Sequence, residues 1–351
     1  MSTSSALQPI IDEFLPVPGY MNAPTMGLPP RSVVEAMQAG LIDWQVGAAT
    51  PVIYDDAVEA SRRGYADLVD VREDAVSVGP AASVFAGLVA ASLPDTARVV
   101  VVADDFTSII FPFLTQQQDR GVQVDLVPLH LLADAINADV DLVVFSLAQS
   151  SNGALVDVDA VREQAAACGA LTFCDTTQAA GWYPVHAGDF DLTVCAAYKW
   201  LCQPRGAAYF TATEAARERL TAIHANWYAG RSRWDSVYGP SMDLADDARR
   251  FDISPGWLTW VGAAVAAEIF TRVPRQALGT HGIALAEDLR DRLGLSSRPS
   301  PVVVLPDRSG DLAQRMADRG VQAASRAGAV RVGFHLWNTP DDVDLVASAL
   351  P

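Results

Sequence analysis

LTFCDTTQAAGWYPVHAGDFDLTVCAAYK, residues 171–199, decides how the rest of the chain is read. It opens on an apolar run that ends at Asp175 and closes on a second that ends just before Tyr198 and Lys199. Short runs rich in branched and aromatic residues, bounded by turn-forming ones, are buried strands. The same pattern extends on both sides: 75–78, 98–103, 122–127, 142–147, 171–174, 192–196 and 207–210 read as strands. Segments 81–93, 107–118 and 158–168 between them have helical length and spacing. Strand alternating with helix predicts an α/β fold, a mainly parallel sheet sandwiched by helices. The tail adds a strand at 301–305, a helix at 312–319, a strand at 330–336 and a closing helix, together a small α+β lobe. Thr339, Pro340, Asp341 and Asp342 suit the start of that last helix as N-cap, N1 proline and first-turn acids. We expect a large domain over 30–265 and a small domain from 1–29 and 266–351, since 351 residues exceed what one core usually serves.

Half of the residues are hydrophobic and a fifth charged, so the chain folds around a sizeable core. Its 25 basic and 42 acidic residues give a net charge of −17, which repels nucleic acid and anionic membrane surfaces. Residues 1–14 lack a basic start and a long apolar run, and the most apolar helical stretch, 257–270, is too short to span a bilayer. A cytoplasmic location is expected. Cys168, Cys174, Cys195 and Cys202 form no CxxC pair and have no companion histidines at zinc spacing, so no metal is expected.

Of the 25 basic residues, one is lysine, Lys199, and the rest are arginine. Arginine supplies a permanent charge as well as lysine does, but it cannot lose a proton and act as an amine nucleophile. In an open sheet, ligands sit outside the carboxyl ends of the strands. After the strands come Gly79-Pro80-Ala81-Ala82-Ser83, Asp104-Asp105-Phe106, Gln149-Ser150-Ser151-Asn152, Asp175-Thr176-Thr177-Gln178 and Tyr198-Lys199. A lone amine, an acid, aromatics and a helix start on one rim suit a cofactor with a phosphate, a flat ring, a ring nitrogen and an aldehyde.

Asp175-Thr-Thr-Gln178-Ala-Ala-Gly181 followed by Tyr198-Lys199-Trp200-Leu201 resembles the signature of class V aminotransferase-family enzymes, pyridoxal-phosphate proteins of fold type I. Cysteine desulfurases, kynureninases, isopenicillin N epimerase-like proteins and C–S lyases belong to that group. The similarity runs from about Gly27-Leu28-Pro29-Pro30 to Asn338-Thr339. It implies pyridoxal 5′-phosphate as cofactor, with Lys199 forming a Schiff base and then moving the α-proton, and Asp175 pairing with the pyridinium nitrogen. Asp175 and Gln178 also have the spacing of a capping box, which leaves a purely local role open. By the same resemblance Gln178 reaches the ring hydroxyl oxygen, Ala81, Ala82 and Ser83 offer backbone donors to the phosphate, and Tyr198 and Ser150 belong to the cofactor site. Phe106 would stack on the ring face, where desulfurases carry histidine. Arg331 would clamp the substrate carboxylate, with Asn22 beside the substrate. Trp227 and Ser254 would contribute to a cofactor site shared across a homodimer, although four of the eight tryptophans falling between 227 and 260 also fit an aromatic core.

A desulfurase working by persulfide relay needs a cysteine ahead of the carboxylate arginine, and residues 323–330 contain none. The expected activity is therefore β-elimination of the C–S lyase kind or transamination on an L-amino acid. A kynureninase-like hydrolase or an epimerase on the same cofactor is the alternative, and a non-catalytic binding scaffold the alternative of another class. A nicotinamide-dependent dehydrogenase would show GxGxxG after the first strand, which is absent.

Overall fold

The structure is a computed structural model that describes residues 3–308, 310–326 and 328–350. The ends of the expected small domain, residues 1, 2 and 351, and part of the 323–330 segment lie outside the described residues.

Three helices come first, α1 (Thr3–Ile11), α2 (Arg31–Gln45) and α3 (Pro51–Leu68). Strands and helices then alternate: β1 (Val76–Gly79), α4 (Ala82–Ser92), β2 (Arg98–Val102), α5 (Thr107–Arg120), β3 (Gln123–Val127) and β4 (Leu142–Ser146). Next come α6 (Val158–Cys168), β5 (Leu171–Asp175), β6 (Leu192–Ala196), β7 (Ala208–Ala212) and α7 (Glu214–Glu218). α8 (Trp257–Thr271), α9 (Arg275–Leu278) and α10 (Thr280–Arg292) lead into β8 (Val302–Pro306), α11 (Leu312–Asp318), β9 (Ala324–Arg326), β10 (Ala329–Gly333) and α12 (Pro340–Ala349).

The expected α/β architecture is found. β1 to β7 form one sheet in the order β1-β7-β6-β5-β4-β2-β3, and β8, β10 and β9 form a small antiparallel sheet. β2 to β6 run parallel to one another, while β7 is antiparallel to both β6 and β1. β4, β6 and β7 are buried along their whole length because helices cover both faces, which is why they read as continuous apolar runs. Two apolar clusters form the main core, one containing Val100, Phe145, Tyr209 and Trp260 and the other Phe85, Val101, Phe173 and Phe210. A third joins Met21 to Leu289, Val303, Val332 and Val346, so a residue from the start of the chain closes the core of the C-terminal segment. Thr339 N donates to the Asp342 carboxylate at 2.9 Å, fixing the start of α12.

Register places the rim. Gly79 and Ala196 both pair with Ala208, so β1 and β6 end on one rung. Asp175 pairs with Ser146 on one side and Val194 on the other. The start of α4, the turn after β5 and the Tyr198-Lys199 segment therefore leave the sheet at the same edge.

Candidate active site

The turn after β5 is a clamp between strands, and no helix begins there. Thr176 N donates to Val194 O at 2.8 Å, and Thr177 Oγ1 accepts from Ala196 N at 2.9 Å. Thr177 N donates to Asp175 Oδ1 at 2.8 Å, so the capping box suggested by the Asp175 to Gln178 spacing does not form. Asp175 is fully buried, and burial pushes its carboxyl up to about 6, against hydrogen bonds from Thr177 that lower it.

Lys199 follows β6 by three residues and is 5% exposed. Burial, opposed by the attraction of Asp175 and assisted by the repulsion of Arg331, pushes its amine down to about 8. Its Nζ stands 5.1 Å from the centre of the Phe106 ring and 5.7 Å from that of Tyr198. Two contacts fix the backbone here. Gly27 N donates to Tyr198 O at 2.9 Å, and a Cβ at Gly27 would lie 2.0 Å from Lys199 O, so only glycine passes. His335 takes Leu336 N on Nδ1 at 2.7 Å, which leaves Nε2 to donate to Trp200 O at 2.9 Å. Burial drives this imidazole down to about 4, so it stays neutral, as accepting Leu336 N on Nδ1 requires.

Asp105, not singled out in the sequence, staples β2 to β4. It accepts from Ser146 N at 2.6 Å, Ser146 Oγ at 2.5 Å and Phe106 N at 2.7 Å, and so fixes the backbone of Phe106. Nothing but its place between two strand ends marks it out, and adjacency of that kind has no local signal.

Arg331 lies in β10, 2% exposed. It donates to Thr25 Oγ1 at 3.0 Å, to Ser150 Oγ at 3.3 Å and to Ser150 O, while its Nε has no partner. With no carboxylate beside it among the described residues, burial pushes the guanidinium down to about 10. Asn22, bridged to Gly333, leaves a buried Oδ1 without a partner.

Phe106, Ser150, Tyr198, Lys199 and Arg331 line one cavity of about 360 Å³, together with Thr25, Asp105 and Arg326. Asp175, Gln178, Asn22, Ala81, Ala82 and Ser83 are not on its wall. Gln178 donates to Pro24 O at 2.9 Å and to Ser150 Oγ at 3.0 Å, and accepts from Trp200 Nε1 at 2.8 Å. Both its amide hydrogens are committed, so it reaches a ring oxygen only by releasing one. α4 begins after Ala81 with no side chain capping its first turn, which leaves those N–H groups available. Trp227 packs against Trp234, with ring centres 5.5 Å apart, and Ser254 is exposed; neither lies at the cavity of its own chain. A larger depression of about 620 Å³ opens at the far end of β5, but Arg162 on its wall is paired with Asp189 at 3.1 Å and no amine faces it.

The residues present fit the ring cofactor expected from the sequence. A buried amine of lowered basicity, a buried carboxyl without a cation in ion-pair contact among the described residues, an uncapped helix start and orphaned polar atoms meet the requirements of an aldehyde, a ring nitrogen, a phosphate and a substrate. No group of three or more metal-ligating side chains occurs among the described residues, and no described helix is long and apolar enough to cross a membrane.

Comparison with known proteins gives the same direction. The family model described as aminotransferase class-V matches residues 21–317. An uncharacterized aminotransferase, YcbU, of Bacillus subtilis is 23% identical over 307 residues, covering 82% of this chain and 81% of the relative. The cysteine desulfurase CsdA of Escherichia coli shares the fold with a TM-score of 0.83 at 16% identity, covering 99% of this chain and 97% of that one. The cystine C–S lyase C-DES, solved with cysteine persulfide, superposes with a TM-score of 0.84 at 14% identity, covering 95% and 97%.

Proposed function

The chain belongs to the aminotransferase class-V family, and from that premise we propose that it acts at the α-carbon of an L-amino acid with Lys199 as its central amine. It is an enzyme dependent on pyridoxal 5′-phosphate, which when bound draws electrons from the bonds around the substrate's α-carbon. Lys199 would hold the cofactor aldehyde, Asp175 the ring nitrogen, Phe106 one ring face, and the start of α4 with Tyr198 the phosphate. The observation that carries this assignment is the depressed amine of Lys199, buried one strand away from the raised carboxyl of Asp175.

Each side chain then has a physical task. Arg331, already held by Thr25 and Ser150, presents its fork to the substrate carboxylate and so fixes the α-carbon. Lys199, its amine brought down to about 8 by burial, would take the α-proton and return it. Asp105 holds the backbone that presents Phe106, whose ring centre stands 5.1 Å from the amine.

Within this chemistry we assign β-elimination from a cysteine-type substrate. Residues 323–330 supply no nucleophilic cysteine, which removes the persulfide relay and leaves sulfur departing directly. Transamination is the second reading, favoured by the relative named an aminotransferase. A homodimer belongs to the proposal: Ile42, Trp44 and Val46 at the end of α2, Ile53 on α3 and Trp257 on α8 form an exposed apolar face that a second copy would cover.

The test is cofactor uptake by wild type and Lys199→Ala, followed by a screen of amino acids for keto acid, ammonia and thiol. Keto acid with ammonia and thiol supports elimination, a requirement for an amino acceptor supports transamination, and a wild type that takes up no cofactor overturns the proposal.

A further inference from the structure

The hairpin of β9 and β10 brings a second arginine to the cavity beside the first. In its register Arg326 faces Ala329 and Ala324 faces Arg331. Residues opposite one another in an antiparallel pair share a face, and so do residues two apart on one strand. Arg326 and Arg331 are therefore diagonal neighbours on one face, about 7–8 Å apart at that spacing. Both line the cavity that contains Lys199.

Neither guanidinium has a carboxylate in ion-pair contact among the described residues. Among the described residues Arg326 donates only to the carbonyl of Ser325, at 2.7 Å, and Arg331 only to Thr25 and Ser150. Of the two acids on the wall, Asp105 is taken up by Ser146 and Phe106, and Asp104 stands exposed. Elsewhere in this chain Arg62, Arg231 and Arg292 each find carboxylates. Two positive groups side by side repel each other, and the repulsion is felt at Arg331, where Arg326 opposes the charged form. A ligand with two negative groups relieves it at both places.

We propose that Arg326 binds a second anionic group, at the end of the substrate's side chain, so that the enzyme selects amino acids whose side chain carries a carboxylate, sulfinate or sulfonate. This rests on the α-carbon chemistry proposed above, in which Arg331 takes the α-carboxylate. Arg326 suits the outer group because it is exposed at the cavity mouth, whereas Arg331 is buried at its wall.

Calorimetric titration of the holoenzyme with succinate and with butyrate, which carry two carboxylates and one, tests the assignment without turnover. Wild type is expected to bind succinate at least about tenfold more tightly than butyrate. Arg326→Gln should abolish that preference while leaving butyrate binding within about twofold, and Arg331→Gln should weaken both ligands. Equal binding of the two by wild type, or a preference that survives in Arg326→Gln, overturns the proposal. Loss of the α-carbon chemistry would show separately, as a wild type with no bound cofactor chromophore, and is read in the absorption spectrum of the same sample.

Discussion

Two regions of this molecule bury charge, and they do it in opposite ways. On α3, Arg62 is wholly buried and meets Asp252 at 2.7 Å and 3.1 Å and Glu59 at 3.1 Å, while Asp252 also accepts Val78 N at 2.9 Å. Arg233 completes the cluster from its partly open side through Glu59. At the strand rim, Lys199 and Arg331 are as well buried, yet among the described residues neither has an ion-pair partner. Charge buried with its partner ties α3, β1 and the loop before α8 together. Charge buried without one is held ready for something that arrives from outside, and the fold bears the cost of desolvating it.

The contrast breaks most sharply at Lys199. Lys199→Ala is expected to lower turnover about 10²–10⁴-fold, as loss of a proton-transferring group does, while the melting temperature of the cofactor-free protein stays the same or rises. Arg62→Met should behave in the reverse sense. It removes the nearer of the two cations at the buried Asp252 and leaves only Arg233, at 3.8 Å, so stability in denaturant titration should fall by about 3 kcal/mol, with activity per folded molecule retained. Adding Asp252→Asn in that background should recover part of the loss.

Arg331→Gln is expected to reduce kcat/KM about 10²-fold, mainly through KM, with no drop in melting temperature. A stability loss matching that of Arg62→Met would mean that Arg331 is architectural after all. The smallest effect is in pH. Because the amine must be neutral to attack, the rate of cofactor uptake by the stripped protein should rise with pH, reach half its maximum near 8 and level off above that. The sign for stability follows from linkage. An unfolded lysine keeps its proton to about 10.5 and the folded one loses it near 8, so between those values the unfolded chain binds more protons. Wild type should therefore gain stability relative to Lys199→Met as pH rises through that window, in paired thermal melts.

The inner strands of the main sheet were legible because they are buried on both faces, whereas β3, also expected to be buried, lies at the sheet edge with no buried residue along its length. Arg98-Val-Val-Val-Val102 can be little else, and its observed bounds fall within the expected 98–103. Direction was not legible, since burial gives an antiparallel β7 the same apolar run as its parallel neighbours. β9 was missed because three residues, two of them exposed, carry no alternation. The strand expected over 330–336 stops at Gly333, where His335 N turns to Asn338 Oδ1 at 2.8 Å and leaves the sheet. Lys199 stood out by scarcity, and Asp175 by the motif around it. Asp105 and Arg326 did not, because their significance depends on register and on which strand ends meet, which no local spacing records.

The most direct test uses the chain's single lysine. Borohydride reduction of the purified protein, followed by mass mapping of its peptides, reports which amine carries the cofactor. The expected result is a pyridoxyl adduct on Lys199, lost in Lys199→Arg. A purified enzyme that carries cofactor but shows no adduct at Lys199, or carries it on the terminal amine instead, would contradict the account.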